Sequence, residues 1–230
     1  MNTNDLTISE ELFERFCTEN KVPFSSHSLL HRQRNSKTPD YEIIVNSKRV
    51  ILEVKQLDPV SPDDKEHQRQ LDEMGITEVY EGKVAQRIRR KISDAMPQLN
   101  KWTNKDIPGL IFIYSNLPLD GRYIEPHHIL EGMYGEEIFQ IVFPDNPSAP
   151  PYVANVQFGG KRKVAPDYNT TLSAIVSIFE DWEQHQLHAY FYHNIFSKCK
   201  FEPDWLRGKR VKHFSLPNTN MKQFSEWVEI

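Results

Sequence analysis

The alternation of apolar and polar residues makes the first half of this chain legible and the second half less so. Leu12, Phe13, Phe16 and Cys17 recur at the spacing of one helical face. Thr7, with Glu10 three residues on, has the capping-box pattern, in which two otherwise orphaned backbone N–H groups find side-chain acceptors. A first helix is therefore predicted from about Ile8 to Asn20. Two extended runs, Tyr41–Val45 and Arg49–Lys55, joined by Asn46, Ser47 and Lys48, read as a β-hairpin. Val84, Ile88, Ile92 and Leu99 mark a basic amphipathic helix, which Pro97 is expected to disturb because it has no N–H to give to the helix. Leu110 to Tyr114 is a continuous apolar run bounded by Pro108-Gly109 and Asn116, the pattern of a strand buried on both faces. Helix, hairpin, helix and buried strand, in that order, imply a mixed α/β sheet.

Beyond residue 117 the periodicity weakens. Tyr152–Phe158, Leu172–Phe179 and Leu187–Tyr192 are strand-like, although Leu172 to Trp182 is equally compatible with a helix. The prolines at 144, 147, 150 and 151 mark a loop. The stretch from Asp58 to Glu81 is acidic and reads as a polar excursion, partly helical at best. No internal repeat is visible.

With 230 residues, 38% hydrophobic and 26% charged, the chain has an ordinary globular composition and fits one elaborated domain spanning 1–230. Its longest apolar run is far short of a membrane span, and its first residues lack the basic and apolar regions of a signal peptide, so a cytoplasmic protein without membrane contact is expected. Two cysteines cannot make a disulfide framework. The net charge of -4 gives no overall attraction to nucleic acid. Basic residues are nevertheless gathered at His31–Arg34, Arg87–Lys91, Lys161–Lys163 and Arg207–Lys212, and each gathering is either a local basic face or a solvated surface run.

The chemistry is concentrated in Thr38-Pro39-Asp40 and Leu52-Glu53-Val54-Lys55-Gln56. A two-residue turn at Asn46-Ser47 pairs Val45 with Lys48, and counting outward sets Asp40 opposite Glu53. Opposed like charges on antiparallel strands repel, so something must offset the repulsion. A hard divalent cation, Mg²⁺ in particular, suits one or two carboxylates. The period of two also places Lys55 on the face of Glu53.

Pro39-Asp40, then Glu53-Val54-Lys55, with a helical glutamate upstream, resembles the PD-(D/E)XK nucleases, the restriction-endonuclease-like superfamily. The resemblance covers about Ile8 to Asn116. It implies a restriction-endonuclease-like α/β fold, a mixed sheet flanked by helices, with 7–116 as the nuclease-like core and 117–230 as a strand-rich C-terminal elaboration. It further implies a metal-dependent nuclease in which Asp40 and Glu53 hold Mg²⁺ or Mn²⁺, Lys55 orients or activates the attacking water, and a helix glutamate completes the site. Glu10 is preferred to Glu14, since Glu14 is expected to point further toward solvent. Gln56, Arg87, Arg90 and Lys91 stand where members of the superfamily contact nucleic acid, with DNA ahead of RNA as the partner and a homodimer compatible with two-strand cleavage. A catalytically silent binding module of the same fold and a protein-interaction scaffold are the rival readings.

Pro-Asp by itself says little, because it also precedes Glu81-Gly82-Lys83 as Pro62-Asp63, where no apolar strand surrounds it. Other features have bland readings. His185, His188, His193 and Cys199 lack a recognised zinc spacing. Gly159-Gly160-Lys161-Arg162-Lys163 is either an anion-binding nest or a basic turn. Asn169-Thr170-Thr171 fits the glycosylation pattern but not the expected compartment, and Phe191 to Asn194 is ambiguous between loop chemistry and core packing.

Overall fold

The capping box at Thr7 closes as its residue types dictate. Glu10 Oε2 accepts the Thr7 N–H at 2.7 Å and Thr7 Oγ1 accepts the Glu10 N–H, which starts helix α1 (Ile8–Glu19). The computed structural model describes residues 6–27, 38–59, 73, 81–104, 106–117, 123–146, 148–181, 183–217 and 226–230. His31–Arg34, Asp63 and nearly all of the acidic stretch lie outside the described residues.

The hairpin forms with the expected register. Strands β2 (Tyr41–Val45) and β3 (Lys48–Leu57) pair antiparallel from Val45–Lys48 to Tyr41–Leu52. Asn46 and Ser47 make the turn with φ of 48° and 60°, the left-handed pair whose twist matches the flanking strands. A short strand β1 (Phe24–Ser26) adds to the outer edge of β2, unannounced by any alternation in the sequence. After β3 the chain crosses over through α2 (Glu81–Trp102) to β4 (Gly109–Ser115), which pairs parallel with β3 and is almost wholly buried.

The second half of the chain joins the same sheet. Among the described residues one eight-stranded mixed sheet runs β1-β2-β3-β4-β7-β8-β9-β10, where β7 is Leu172–Glu180, β8 Leu187–His193, β9 Val211–Ser215 and β10 Val228–Glu229. The mixed α/β architecture expected from the sequence is thus present. β7 lies parallel beside β4 in the sheet centre, so Leu172 to Glu180 is strand rather than helix. Further elements escaped the sequence pattern: β9, β10, α3 (Pro126–Tyr134), and β5 (Glu137–Val142), which pairs with β6 (Tyr152–Phe158) as a separate two-stranded ribbon.

Two cores sandwich the sheet, and the period of two sorts β3 between them. Val50, Leu52 and Val54 pack under α1, while Ile51 and Leu57 pack under α2 and α3. On the first side Phe112 meets Phe13 edge-on at 5.0 Å and Phe16 at 5.9 Å. On the second, Gly132 of α3 lets the helices approach: a Cβ there would come within 2.6 Å of Ile88 Cγ2. α2 runs through Pro97 without ending, with Pro97 exposed on its outer side between the buried Met96 and Leu99. Those buried apolar neighbours hold the helix where the lost backbone bond would otherwise end it.

Candidate active site

Where the β2–β3 ladder ends, Asp40 takes over its last hydrogen bond. Pro39 has no N–H and turns the chain away, and Asp40 Oδ2 accepts the Val54 backbone N–H at 2.8 Å. Asp40, Glu53 and Lys55 share the α2 side of the sheet, as the register requires. Lys55 Nζ lies 2.5 Å from Glu53 Oε2 and 3.3 Å from Asp40 Oδ2. Glu53 is fully buried at 0% exposure, and its Oε1 has no hydrogen-bond partner.

Two carboxylates and one ammonium leave this largely buried cluster one negative charge in excess. Burial, reinforced by the neighbouring Asp40 carboxylate, pushes Glu53 up to about 8 despite the opposing pull of Lys55. For Lys55 burial works downward, yet the carboxylates of Asp40 and Glu53 outweigh it and hold the ammonium above its ordinary range. The pair titrates as a unit. The direction that follows from its charge is that the cluster takes up either a proton or a cation near neutrality. A Mg²⁺-type ion fits that requirement, since it needs only one or two carboxylates and keeps waters of its own, and the orphaned Glu53 Oε1 is a ready ligand.

Glu10 is not brought to this group. α1 packs on the opposite face of the sheet, and the Glu10 carboxylate is engaged by both the N–H and the hydroxyl of Thr7. Glu14, expected nearer to solvent, is half-buried and accepts the Tyr41 hydroxyl at 2.8 Å. Together with Glu10 and Asp40 it keeps that phenol protonated far beyond its usual range, after burial, the larger cause. Among the described residues no three His, Cys, Asp or Glu side chains group as a metal-ligand set. Gln56 also faces α1: its Oε1 accepts the Ser9 N–H at 3.1 Å, and its Nε2 donates to Asp58 Oδ1.

The basic helix divides its cations. Arg87, Lys91, Gln98 and Trp102 follow helical spacing along one half-buried stripe of α2, and Gln98 Nε2 donates to Thr38 O just before Asp40. Arg87 donates to Asp58 O beyond the end of β3. Arg87 and Lys91 are half-buried on this stripe, whereas Arg90 is exposed. Arg89, unremarked in the sequence, is buried against α3 and bonds Glu131 O and Glu136.

Three more polar groups gather near Asp40 without a sequence signal. His27 donates its N–H to Asp40 O, and its ring lies 5.6 Å from that of Trp102. His27 Nε2, Trp102 Nε1 and Thr38 Oγ1 are buried without hydrogen-bond partners. By contrast, the ambiguous features of the second half are structural. His193 Nε2 donates to His213 Nδ1 at 3.0 Å, because His213 commits Nε2 to Leu206 O. Burial, with His213 nearby, lowers His193 to about 3. His188 stacks on Phe179, and Asn169 donates to Lys163 O. Lys161 and Arg162 are spent on Glu136 and on the carbonyls of Phe158 and Gly159. In the Arg207–Lys212 gathering, Arg207, Arg210 and Lys212 pair with Asp204, Glu19 and Glu229.

Comparison with protein-family models, with curated proteins and with solved structures returns no match for this chain.

Proposed function

We propose that this chain is a metal-dependent phosphodiesterase of the PD-(D/E)XK type acting on nucleic acid, with DNA as the preferred substrate. The observation that carries the reading is the Asp40–Glu53–Lys55 group, two carboxylates on one ammonium, with Glu53 fully buried and one of its oxygens without a hydrogen-bond partner. Asp40 and Glu53 would hold Mg²⁺ or Mn²⁺. A divalent ion bound there supplies charge stabilisation for the phosphate and acidifies a bound water. Lys55, held protonated by its two carboxylates, is suited to donating hydrogen bonds to an anionic oxygen or to orienting a water, and is a poor proton acceptor. Arg87 and Lys91 would contact backbone phosphates. The stripe of α2 that ends at Gln98 and Trp102 would guide the strand past the carboxylates.

A second reading has its own support. Lys55 already contacts both carboxylates, as a closed ion triad in a catalytically silent nucleic-acid-binding module would. Relaxation of supercoiled plasmid, assayed with Mg²⁺, with Mn²⁺ and with chelator on the parent and on Glu53→Gln, separates the two. The nuclease reading expects metal-dependent nicking by the parent alone. Retardation of DNA with no nicking under any metal would favour the silent module.

A further inference from the structure

His27, Asp40 and Glu53 form one row across three strands. The β1–β2 register, carried one residue past Ser26–Tyr41, sets His27 opposite Asp40, where the His27 N–H donates to Asp40 O at 3.0 Å. The β2–β3 register, carried one residue past Tyr41–Leu52, sets Asp40 opposite Glu53. Neighbouring strands lie about 5 Å apart, so His27 is within one nucleotide's length of the carboxylates. The His27 ring meets the Trp102 ring at 5.6 Å with the planes tilted by 51°. One turn before Trp102 on α2, the Gln98 amide donates to Thr38 O at 3.3 Å. In this group His27 Nε2, Trp102 Nε1 and Thr38 Oγ1 are buried without hydrogen-bond partners, and Thr38 is only 4% exposed. Glu42 Oε2 lies 3.8 Å from His27 Nε2, beyond hydrogen-bond reach, and is engaged by Arg49 at 2.7 Å. Buried polar groups are nearly always satisfied, so three orphaned atoms beside one site call for a partner from outside the chain.

We infer that this group seats an unpaired nucleobase of the substrate, next to the phosphate held at the carboxylates. The inference rests on the proposed function for the presence of a nucleic acid, and the hydrogen-bonding chemistry selects which part of it binds here. An indole N–H only donates, so the occupant must bring an acceptor, whereas the Thr38 hydroxyl and the His27 ring can each donate or accept. None of the three is a fixed cation, and the Asp40 and Glu42 carboxylates share this side of the sheet. A phosphate would shed its water here with no positive charge to replace it. A base edge carries neutral donors and acceptors side by side, which suits the set. Because the three atoms are buried, the edge of a base stacked in a duplex does not reach them, and a base out of the stack does. The His27 and Trp102 residues are themselves only half-buried, which leaves the rim of the group open to solvent. The substrate class that follows is nucleic acid with an unpaired nucleotide beside the scissile bond.

Fluorescence-anisotropy titrations of the full chain in chelator test this, with a labelled DNA single strand, its fully paired duplex, and a series of strands in which one abasic nucleotide is moved stepwise along the sequence. The parent should bind the strand more tightly than the duplex, and one abasic position should weaken binding about tenfold. Trp102→Phe keeps an aromatic ring and removes the donor, and Thr38→Val removes the hydroxyl. Each should bind the intact and the abasic strands with nearly equal affinity. Both should also melt no earlier than the parent, because each removes a polar group that has no partner in the free protein. An earlier melt in both would mean that the groups serve the fold through buried water, and would overturn the proposal. So would a parent indifferent to every abasic position, or variants that keep its discrimination. A parent that nicks plasmid with Mg²⁺ yet ignores the abasic series loses this inference and keeps the proposed function, and a parent that never nicks yet shows the abasic cost does the reverse.

Discussion

Asp40 Oδ2 accepts the Val54 N–H at 2.8 Å, so the carboxylate opposite Glu53 is also the cap of the strand that carries Glu53. One side chain thus ends the β2 ladder, fixes its own position relative to β3, and presents charge to Lys55. This double duty separates two substitutions that charge alone would treat alike. Asp40→Asn keeps an acceptor for Val54, whereas Asp40→Ala strands a half-buried N–H at a cost of about 1–3 kcal/mol. Both should lose divalent binding by calorimetric titration. Denaturant unfolding should find Asp40→Ala clearly less stable than Asp40→Asn, and equal midpoints would refute the capping role.

The raised Glu53 makes a pH prediction with a definite sign. In the unfolded chain its carboxyl titrates near 4.5, and in the folded one at about 8. The folded state therefore holds the proton more tightly, and stability without metal falls as pH rises through that window. Glu53→Gln keeps the shape and removes the titration. The stability of Glu53→Gln relative to the parent should climb steadily from pH 5 to pH 8, measured by urea midpoints in chelator. A difference that stays flat would mean that Glu53 is ionised throughout.

His193 should act in the opposite direction at low pH. Its folded value, lowered to about 3 first by burial and then by His213, lies below the ordinary imidazole range. Folding thus excludes a proton, and the stability it contributes is present above about 6.5 and lost as pH falls toward 3. Replacing His193 by Gln should shrink that acid-side loss in a urea series from pH 7 to pH 4. An unchanged acid limb would assign the loss to other groups.

The two arginines 89 and 90 are neighbours in sequence, but Arg89 is buried against α3 and Arg90 is exposed. Neutralising Arg87, Arg90 and Lys91 together should weaken DNA binding and reduce the log–log salt slope by up to about 0.9 per phosphate contact. Arg89→Met should leave that slope alone and lower the melting temperature, since Arg89 ties α2 to Glu131 and Glu136. Salt-dependent binding isotherms with paired melts decide. A slope change in Arg89→Met with an unaltered melt would invert the assignment.

What the sequence made legible was local. The two-residue turn at Asn46-Ser47 fixed the hairpin register by counting, and the register brought Asp40, Glu53 and Lys55 together. The packing side of α1 was not legible, because nothing in Leu12, Phe13 and Phe16 says which face of a sheet they will cover, so the hydrogen bond from the Tyr41 hydroxyl to Glu14 could not be read from the spacing. α3 had a usable signal in Pro126 at its first position, a favoured start for a helix. β5 hid because Ile138-Phe139-Gln140-Ile141-Val142-Phe143 does not alternate, which in a strand with an unpartnered apolar face is the expected pattern. β9 was obscured by the cations of Arg207–Lys212, of which Arg210 and Lys212 pair with Glu19 and Glu229, remote in sequence.

Lys55 provides the most direct measurement. On one preparation of Lys55→Ala, alongside the parent and with Mg²⁺ present, plasmid nicking and thermal unfolding are followed together. The parent should nick, the variant should bind Mn²⁺ and remain folded, and its cleavage should fall by roughly 10² to 10⁴. A variant that melts early yet cleaves at the parental rate would contradict it, leaving Lys55 as the counter-ion of a buried glutamate.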